Sequence, residues 1–313
     1  LSSKNQILPY TNAICYSGFR DGQSPETNTF PSYDEIKQDL MLLQSNWQSL
    51  RLYDCDQHAE TVLEVIQKEG FSFDVMLGAY IMAEKNNPEC PWGGVYPNSE
   101  LAINKKLNQK RIAKLISMAN AYPEIITSVS VGNEATVSWT DHLVTVESLL
   151  EYVALIKKTV KQPVTFCENY VPWLDKLMPL AAELDFISIH TYPVWEYKTV
   201  DDALAYTIEN YHAVAHAYPE KQVVITEAGW ATKSNGRGIP PHHVNEELQR
   251  EYINQLLDWA EEEGVLIYLF EAFDENWKGS DDPLEPEKHW GIYYTDRTPK
   301  LVVREKVGVR VNA

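Results

Sequence analysis

Read for hydrophobic and polar positions, the chain alternates two patterns without interruption. Short, continuously apolar runs occur at 12–16, 49–53, 73–80, 125–132, 163–167, 186–189, 222–226 and 265–270, and each is read as a strand. Between them, apolar residues recur at intervals of three and four, the spacing of a helix face. Such faces are expected from Ser32, from Ala59 to Glu69, from Ser99 to Ala121, from Val146 to Thr159, after Pro172, from Val200 to Ala217 and from Asn245 to Glu263. Ser32 with Glu35 forms a capping box, Pro172 can open a helix, and Gly70 and Gly264 stand where a helix stops. The strands read as largely continuous apolar runs rather than a strict alternation, as expected when both faces are buried. Strand and helix alternate, so the sheet is parallel. Eight such units in 313 residues predict one α/β domain over 1–313, a single (β/α)8 barrel. An open doubly wound sheet is the alternative, but no G-x-G-x-x-G follows the first strand and no P-loop occurs.

Three of these apolar runs share an unusual ending. Val129 to Gly132 leads to Asn133-Glu134, Val223 to Thr226 leads to Glu227, and Ile267 to Phe270 leads to Glu271. A carboxylate at the end of a buried strand needs a partner, a hydrogen bond or a raised pKa to offset its lost hydration. In a (β/α)8 barrel the C-terminal strand ends form the active site. Two carboxylates in one cleft suit glycoside hydrolysis, where one acid protonates the leaving oxygen and the other attacks the anomeric carbon or activates water. Glu134 and Glu227 are the best such pair. Asn133 offers an amide to a sugar hydroxyl, and Trp230 is placed to floor a sugar subsite. Glu271 reads equally as a structural carboxylate.

Composition narrows the partner. With 27 Lys and Arg against 45 Asp and Glu, the net charge of −18 opposes nucleic acid and anionic membrane surfaces. The 9 Trp and 18 Tyr suit a neutral polymer with apolar faces, although many must be core. Trp139, Trp195, Trp277 and Trp290 follow strand ends and are subsite candidates. No apolar run is long enough to span a membrane. The four cysteines form no C-x-x-C pair; Cys15 and Cys167 fall in strands, whereas Cys55 and Cys90 fall in loops, where the sequence leaves open whether they join as a disulfide in an exported protein. His190, at the end of the sixth strand, is read as a hydrogen-bonded scaffold residue, and His242-His243 as loop, so no metal and no cofactor are expected. A monomer is expected. The first residue is Leu1, compatible with a removed leader.

Three ordered segments, Val131-Gly132-Asn133-Glu134, Thr226-Glu227-Ala228-Gly229-Trp230 and Phe270-Glu271-Ala272-Phe273-Asp274-Glu275-Asn276-Trp277-Lys278, together resemble glycoside hydrolase family 17. Cys15-Tyr16, Arg51-Leu52-Tyr53 and His190-Thr191-Tyr192-Pro193 extend the likeness over most of the barrel, and the third segment is closer to microbial than to plant members. The resemblance implies a retaining β-1,3-glucanase or β-1,3-glucanosyltransferase, with Glu134 as general acid/base and Glu227 as nucleophile. It further implies that Tyr192 holds the nucleophile and that Glu275 and Lys278 belong to a polar network beneath the sugar. Tyr16, Arg51, Tyr53, Asn133, His190, Tyr192, Trp230, Glu271, Glu275, Trp277 and Lys278 form the expected substrate-binding set. The expected partner is β-1,3-glucan such as laminarin, and the expected location secreted or periplasmic. The segments 84–98 and 234–244 have no counterpart in the resemblance. A non-catalytic glucan-binding barrel is the alternative from another class.

Overall fold

The computed structural model describes residues 6–306; Leu1 and the other ends of the expected 1–313 domain lie outside the described residues. Eight parallel strands form a closed barrel in chain order: β1 Ala13–Cys15, β2 Ser49–Leu52, β3 Asp74–Ala79, β4 Ile126–Asn133, β5 Val164–Asn169, β6 Ile187–His190, β7 Val223–Ala228 and β8 Ile267–Leu269. Closure is made by β8 pairing with β1, Ala13 opposite Tyr268 and Ile14 opposite Leu269. Nearly every strand residue is buried on both faces, the physical origin of the unbroken apolar runs.

The helices α1 Tyr33–Leu43, α2 Gln57–Glu69, α3 Asn98–Ala121, α4 Val146–Thr159, α5 Met178–Glu183, α6 Val200–Ala217, α7 Glu246–Glu263 and α8 Leu301–Lys306 follow the strands in turn. Local chemistry sets their ends. Ser32 accepts from the Glu35 amide and Glu35 reaches back to the Ser32 amide, completing the capping box; Gly70 and Gly264 close α2 and α7 in the left-handed conformation. Two departures from the periodicity have simple causes. Pro172 opens only a 3₁₀ turn, Pro172–Leu174, before the short α5, and α8 is too brief to show a helical repeat.

Cys55 and Cys90 are not joined as a disulfide. They are separate buried thiols, and the Cys55 thiol instead donates to the Arg111 carbonyl at 3.4 Å. Cys15 and Cys167 are fully buried, and burial pushes the Cys15 thiol up to about 12.

Barrel regularity fails at the C-terminal strand ends. The pairing slips between Ser130 and Asn133 on β4, between Ile189 and His190 on β6, and between Ile225 and Ala228 on β7. Such irregularities re-aim side chains at the end of a strand. On β4 the backbone is also turned sharply, with φ of +79° at Gly132 and +48° at Glu134. A positive φ is free for glycine but unfavourable for glutamate, and it persists only where surrounding bonds hold it.

Candidate active site

β2, β4, β6 and β7 converge on one cluster. His190, fully buried at the end of β6, lies between the two strand-end carboxylates, its Nδ1 3.4 Å from Glu134 Oε2 and 3.4 Å from Glu227 Oε1. The nearest ionisable atoms of Glu134, His190 and Glu227 all fall within 4.8 Å of one another. One oxygen of the Glu134 carboxyl thus lies within 4.8 Å of one of Glu227, the close facing of two carboxyls that a retaining mechanism uses.

Glu227 is held from every side. Its Oε2 accepts from Arg51 Nη1 and from the Tyr53 hydroxyl, both at 2.7 Å, while its Oε1 accepts from the Tyr192 hydroxyl. Burial alone would raise this carboxyl. The charges of His190 and Arg51 and the hydroxyls of Tyr192 and Tyr53 overcome that and hold it well below the usual carboxylate range. Burial likewise opposes a charged His190, yet Glu227 first, then Cys167 and Glu134, bring its pKa up to about 10. The centre is therefore an ionised carboxylate between two cations.

Arg51 also links the two strand ends, since its Nη2 donates to Asn133 Oδ1 at 2.6 Å. The Asn133 carbonyl accepts from the His142 ring at 2.8 Å, and that ring bonds Asp141 through its other nitrogen. Glu134 itself is more open, its side chain 27% exposed, and its amide donates to the Cys167 carbonyl at 2.9 Å.

Beside this cluster Lys278 bridges Glu271, at 3.3 Å, and Glu275. Burial and then the Glu275 charge raise the Glu271 carboxyl well above the usual range, against the pull of Lys278. Trp277 donates its Nε1 to Glu275 at 3.0 Å. On the other flank Trp195 stacks on Trp290 with centroids 5.9 Å apart, and Tyr192 meets Trp290 edge-on at 5.1 Å.

Arg51, Tyr53, Asn133, His190 and Tyr192 thus surround Glu134 and Glu227, and Glu271, Glu275, Trp277 and Lys278 form one adjoining network. Two expected ligand contacts are corrected. Trp230 is fully buried, packed on Tyr252 and donating to the His243 carbonyl at 3.0 Å, so it belongs to the core and cannot floor a subsite. Gly229, the residue before it, passes so close to β8 that a Cβ there would meet the Phe270 carbonyl oxygen at 1.9 Å. Tyr16 is also fully buried, with its hydroxyl on Asp39 at 2.8 Å inside a cluster with Arg297, and it faces no cleft. Trp290 is 1% exposed and supports the aromatic wall from behind, whereas Trp139 is 41% exposed on the loop after Glu134.

The structure adds three residues to the expected set. Glu168 on β5 is fully buried against the loop after Glu134, although it carried the same signal, an apolar strand ending in Glu. Glu287 sits within the electrostatic reach of Lys278, Arg237 and Glu134, and His142 props β4; both come from irregular loops with no periodicity to reveal them.

A family model described as the BtgE/BtgC glycoside hydrolase domain matches residues 13–291, from the first strand to the segment after the last. The chain belongs to glycoside hydrolase family 17. Among curated relatives, a putative glucan endo-1,3-beta-glucosidase (btgC) of Aspergillus niger is 26% identical over 297 residues, 88% of this chain. Those residues span only 40% of that relative's length. Among solved structures, an endo-laminarinase from Formosa Hel1_33_131 superposes with a TM-score of 0.81 at 26% identity, covering 96% of this chain and 87% of that one. A family 17 β-1,3-glucanosyltransferase from Rhizomucor miehei shares the fold, with a TM-score of 0.71 at 21% identity over 93% of this chain and 95% of that one. Family membership agrees with the closed eight-stranded barrel.

Proposed function

We propose that this chain is a retaining glycoside hydrolase that cleaves β-1,3-glucan of the laminarin type. The observation that carries this reading is the pairing of an ionised, triply held Glu227 with the solvent-open Glu134 across His190. Glu227 attacks the anomeric carbon as the Glu134 carboxylic acid gives its proton to the departing glucosyl oxygen. A glycosyl ester on Glu227 results. Glu134, now a carboxylate, removes a proton from water, and the water oxygen displaces Glu227 with a second inversion. Arg51, Tyr53 and Tyr192 keep Glu227 aimed and ionised, and Asn133, with its side-chain Oδ1 taken by Arg51, presents its side-chain N–H groups to substrate hydroxyls. Trp277 and Lys278, held from behind by the buried Glu271 and Glu275, and the Trp195 wall complete the substrate surface. The Formosa endo-laminarinase and the Aspergillus relative support the choice of β-1,3-glucan.

Reducing-sugar release from laminarin tests the activity; a chain that binds laminarin without releasing sugar would be the non-catalytic barrel. A glucanosyltransferase uses the same residues with a sugar hydroxyl in place of water. Laminari-oligosaccharide products longer than the substrate would show transfer, and only shorter ones hydrolysis.

Glu134, His190 and Glu227 also have donor atoms close enough together for a metal ion. They are ill suited to one, because protonated His190 and Arg51 already supply positive charge there. Activity is expected to persist in chelator. Among the described residues no helix is long and apolar enough to cross a membrane. Because the polymer lies outside the cell membrane, the proposed location is secreted or periplasmic, checked by assaying laminarin hydrolysis in separated cell fractions. The proposed working unit is the monomer, checked by light scattering.

A further inference from the structure

Glu168 is a carboxylate that the mechanism above does not use. It stands on β5, beside β4, and none of its surface reaches solvent. A buried carboxylate is expensive unless its oxygens are satisfied. Here both are, and by a particular set of donors. Oε2 accepts from the Thr136 amide at 3.0 Å and from the Thr136 hydroxyl at 2.7 Å, and Oε1 accepts from the Asn169 amide at 2.7 Å. Thr136 is the second residue after Glu134. One residue earlier along β5, the Cys167 carbonyl accepts from the amide of Glu134 itself.

β5 therefore grips the β4 end at two successive points, one on Glu134 and one just beyond it. Between these points the backbone must keep Glu134 at φ +48°, a conformation that glutamate does not favour by itself. Relaxation of that turn would swing the Glu134 side chain relative to Glu227. Burial, and then the charge of Glu134, raise the Glu168 pKa to about 7, while the Thr136 and Asn169 donors and His190 pull the other way. The two carboxylates are thus in electrostatic as well as mechanical contact.

We propose that Glu168 is a positioning residue for the proton-transfer step: by clamping Thr136 it holds Glu134 in the turned backbone conformation from which its carboxyl reaches the departing oxygen. The proposal rests on the reading of Glu134 as acid/base, and it assigns to Glu168 no contact with substrate.

A merely structural Glu168 and a positioning one differ in which chemical step they affect. Breaking a bond to a sugar hydroxyl needs a proton, whereas expelling 2,4-dinitrophenolate does not. The substrates are laminarin and a 2,4-dinitrophenyl β-laminaribioside, and the variants are Glu168→Gln, Thr136→Val and Glu134→Gln in the full chain. Glu168→Gln keeps the shape but has one carbonyl oxygen for two sets of donors; Thr136→Val removes the hydroxyl from the other end of the same clamp. For Glu168→Gln, kcat on laminarin is expected to fall about 10- to 100-fold with KM within about twofold. In rapid mixing, the initial burst of dinitrophenolate, which reports attack by Glu227, should keep its rate within about threefold. The steady-state rate after the burst falls, because deglycosylation again needs Glu134. Thr136→Val should show the same pattern more weakly and decides the matter if Glu168→Gln does not fold. Unchanged laminarin turnover, or a burst slowed in step with it, would overturn the proposal. Glu134→Gln separates the underlying reading: normal laminarin turnover in that variant would refute Glu134 as acid/base, whatever Glu168 does.

Discussion

The ends of β4 and β7 each deliver a glutamate to the same cleft, yet the two are treated in opposite ways. Glu227 is 4% exposed and its carboxylate accepts from a guanidinium and two tyrosine hydroxyls. Glu134 keeps 27% of its side chain open, and the main chain at and beside it is held, by Cys167 at its own amide, His142 at the Asn133 carbonyl and Glu168 at the Thr136 amide. The difference matches two jobs. A nucleophile must stay ionised and aimed, so side-chain bonds are useful. A group that gives and takes a proton in alternate steps would be hindered by fixed donors, so its placement is left to the main chain.

Breaking the β7 side should have the largest effect. Glu227→Ala is expected to lower kcat on laminarin by at least about 10⁴-fold, as loss of a covalent nucleophile does, with circular dichroism unchanged. Near wild-type turnover would remove Glu227 from its assigned role. On the β4 side, Glu134→Gln should cost about 10²- to 10⁴-fold on laminarin, the usual range for one general acid/base. Azide added to this variant should trap the glycosyl-enzyme as a glycosyl azide of retained configuration when a dinitrophenyl substrate is used, and free sugar alone would contradict the role.

Single donors to Glu227 come next. Tyr53→Phe or Tyr192→Phe removes one hydrogen bond to a charged group, about 1.5–3 kcal/mol or about 10- to 100-fold in kcat. Because these hydroxyls help keep the carboxyl low, their loss should also move the acidic limb of the kcat/KM profile to higher pH. A limb that stays in place would mean that Arg51 and His190 alone set the ionisation.

Much of this organisation is legible in the sequence. Val146–Thr159 and Val200–Ala217 are helices to the residue, and all eight apolar runs become strands, because double-sided burial leaves an unbroken signal. Strand-end glutamates announce the site for the same reason: a charge that closes an apolar run must be accommodated. What the pattern does not carry is direction. Trp230, three residues after Glu227, turns into the core, where Tyr252 and the His243 carbonyl hold it, and Tyr16 turns outward from the cleft to Asp39. Glu168 has the same signature as its three counterparts, but its role depends on Thr136, a partner 32 residues away that only the β4 to β5 pairing brings near. Loop residues such as Glu287 and His142 have no periodicity to report them.

Smaller effects sharpen the contrast between β4 and β7 further. A buried carboxyl whose pKa is raised binds its proton more tightly folded than unfolded, so its contribution to stability is full below about 4.5 and lost as pH rises through about 7. For Glu168 the loss across that window is on the order of 3 kcal/mol. Glu168→Gln should flatten the fall in urea-unfolding stability between these values, and an unaltered slope would show that Glu168 is not the group responsible. His190 works in its own window: its stabilisation is full below about 6.5 and fades as pH rises through about 10. Least affected should be the aromatic positions. Trp139→Ala should raise KM for laminarin about 2- to 10-fold, whereas Trp230→Phe should change stability and leave KM unaltered. The reverse pattern would put Trp230 in the cleft.

Assigning Glu227 as nucleophile and Glu134 as its proton partner requires two successive inversions at one carbon. The direct measurement is proton NMR of the first product formed from a linear laminari-oligosaccharide, recorded before mutarotation. The β anomer is expected at the new reducing end; the α anomer would show a single inversion and contradict the account.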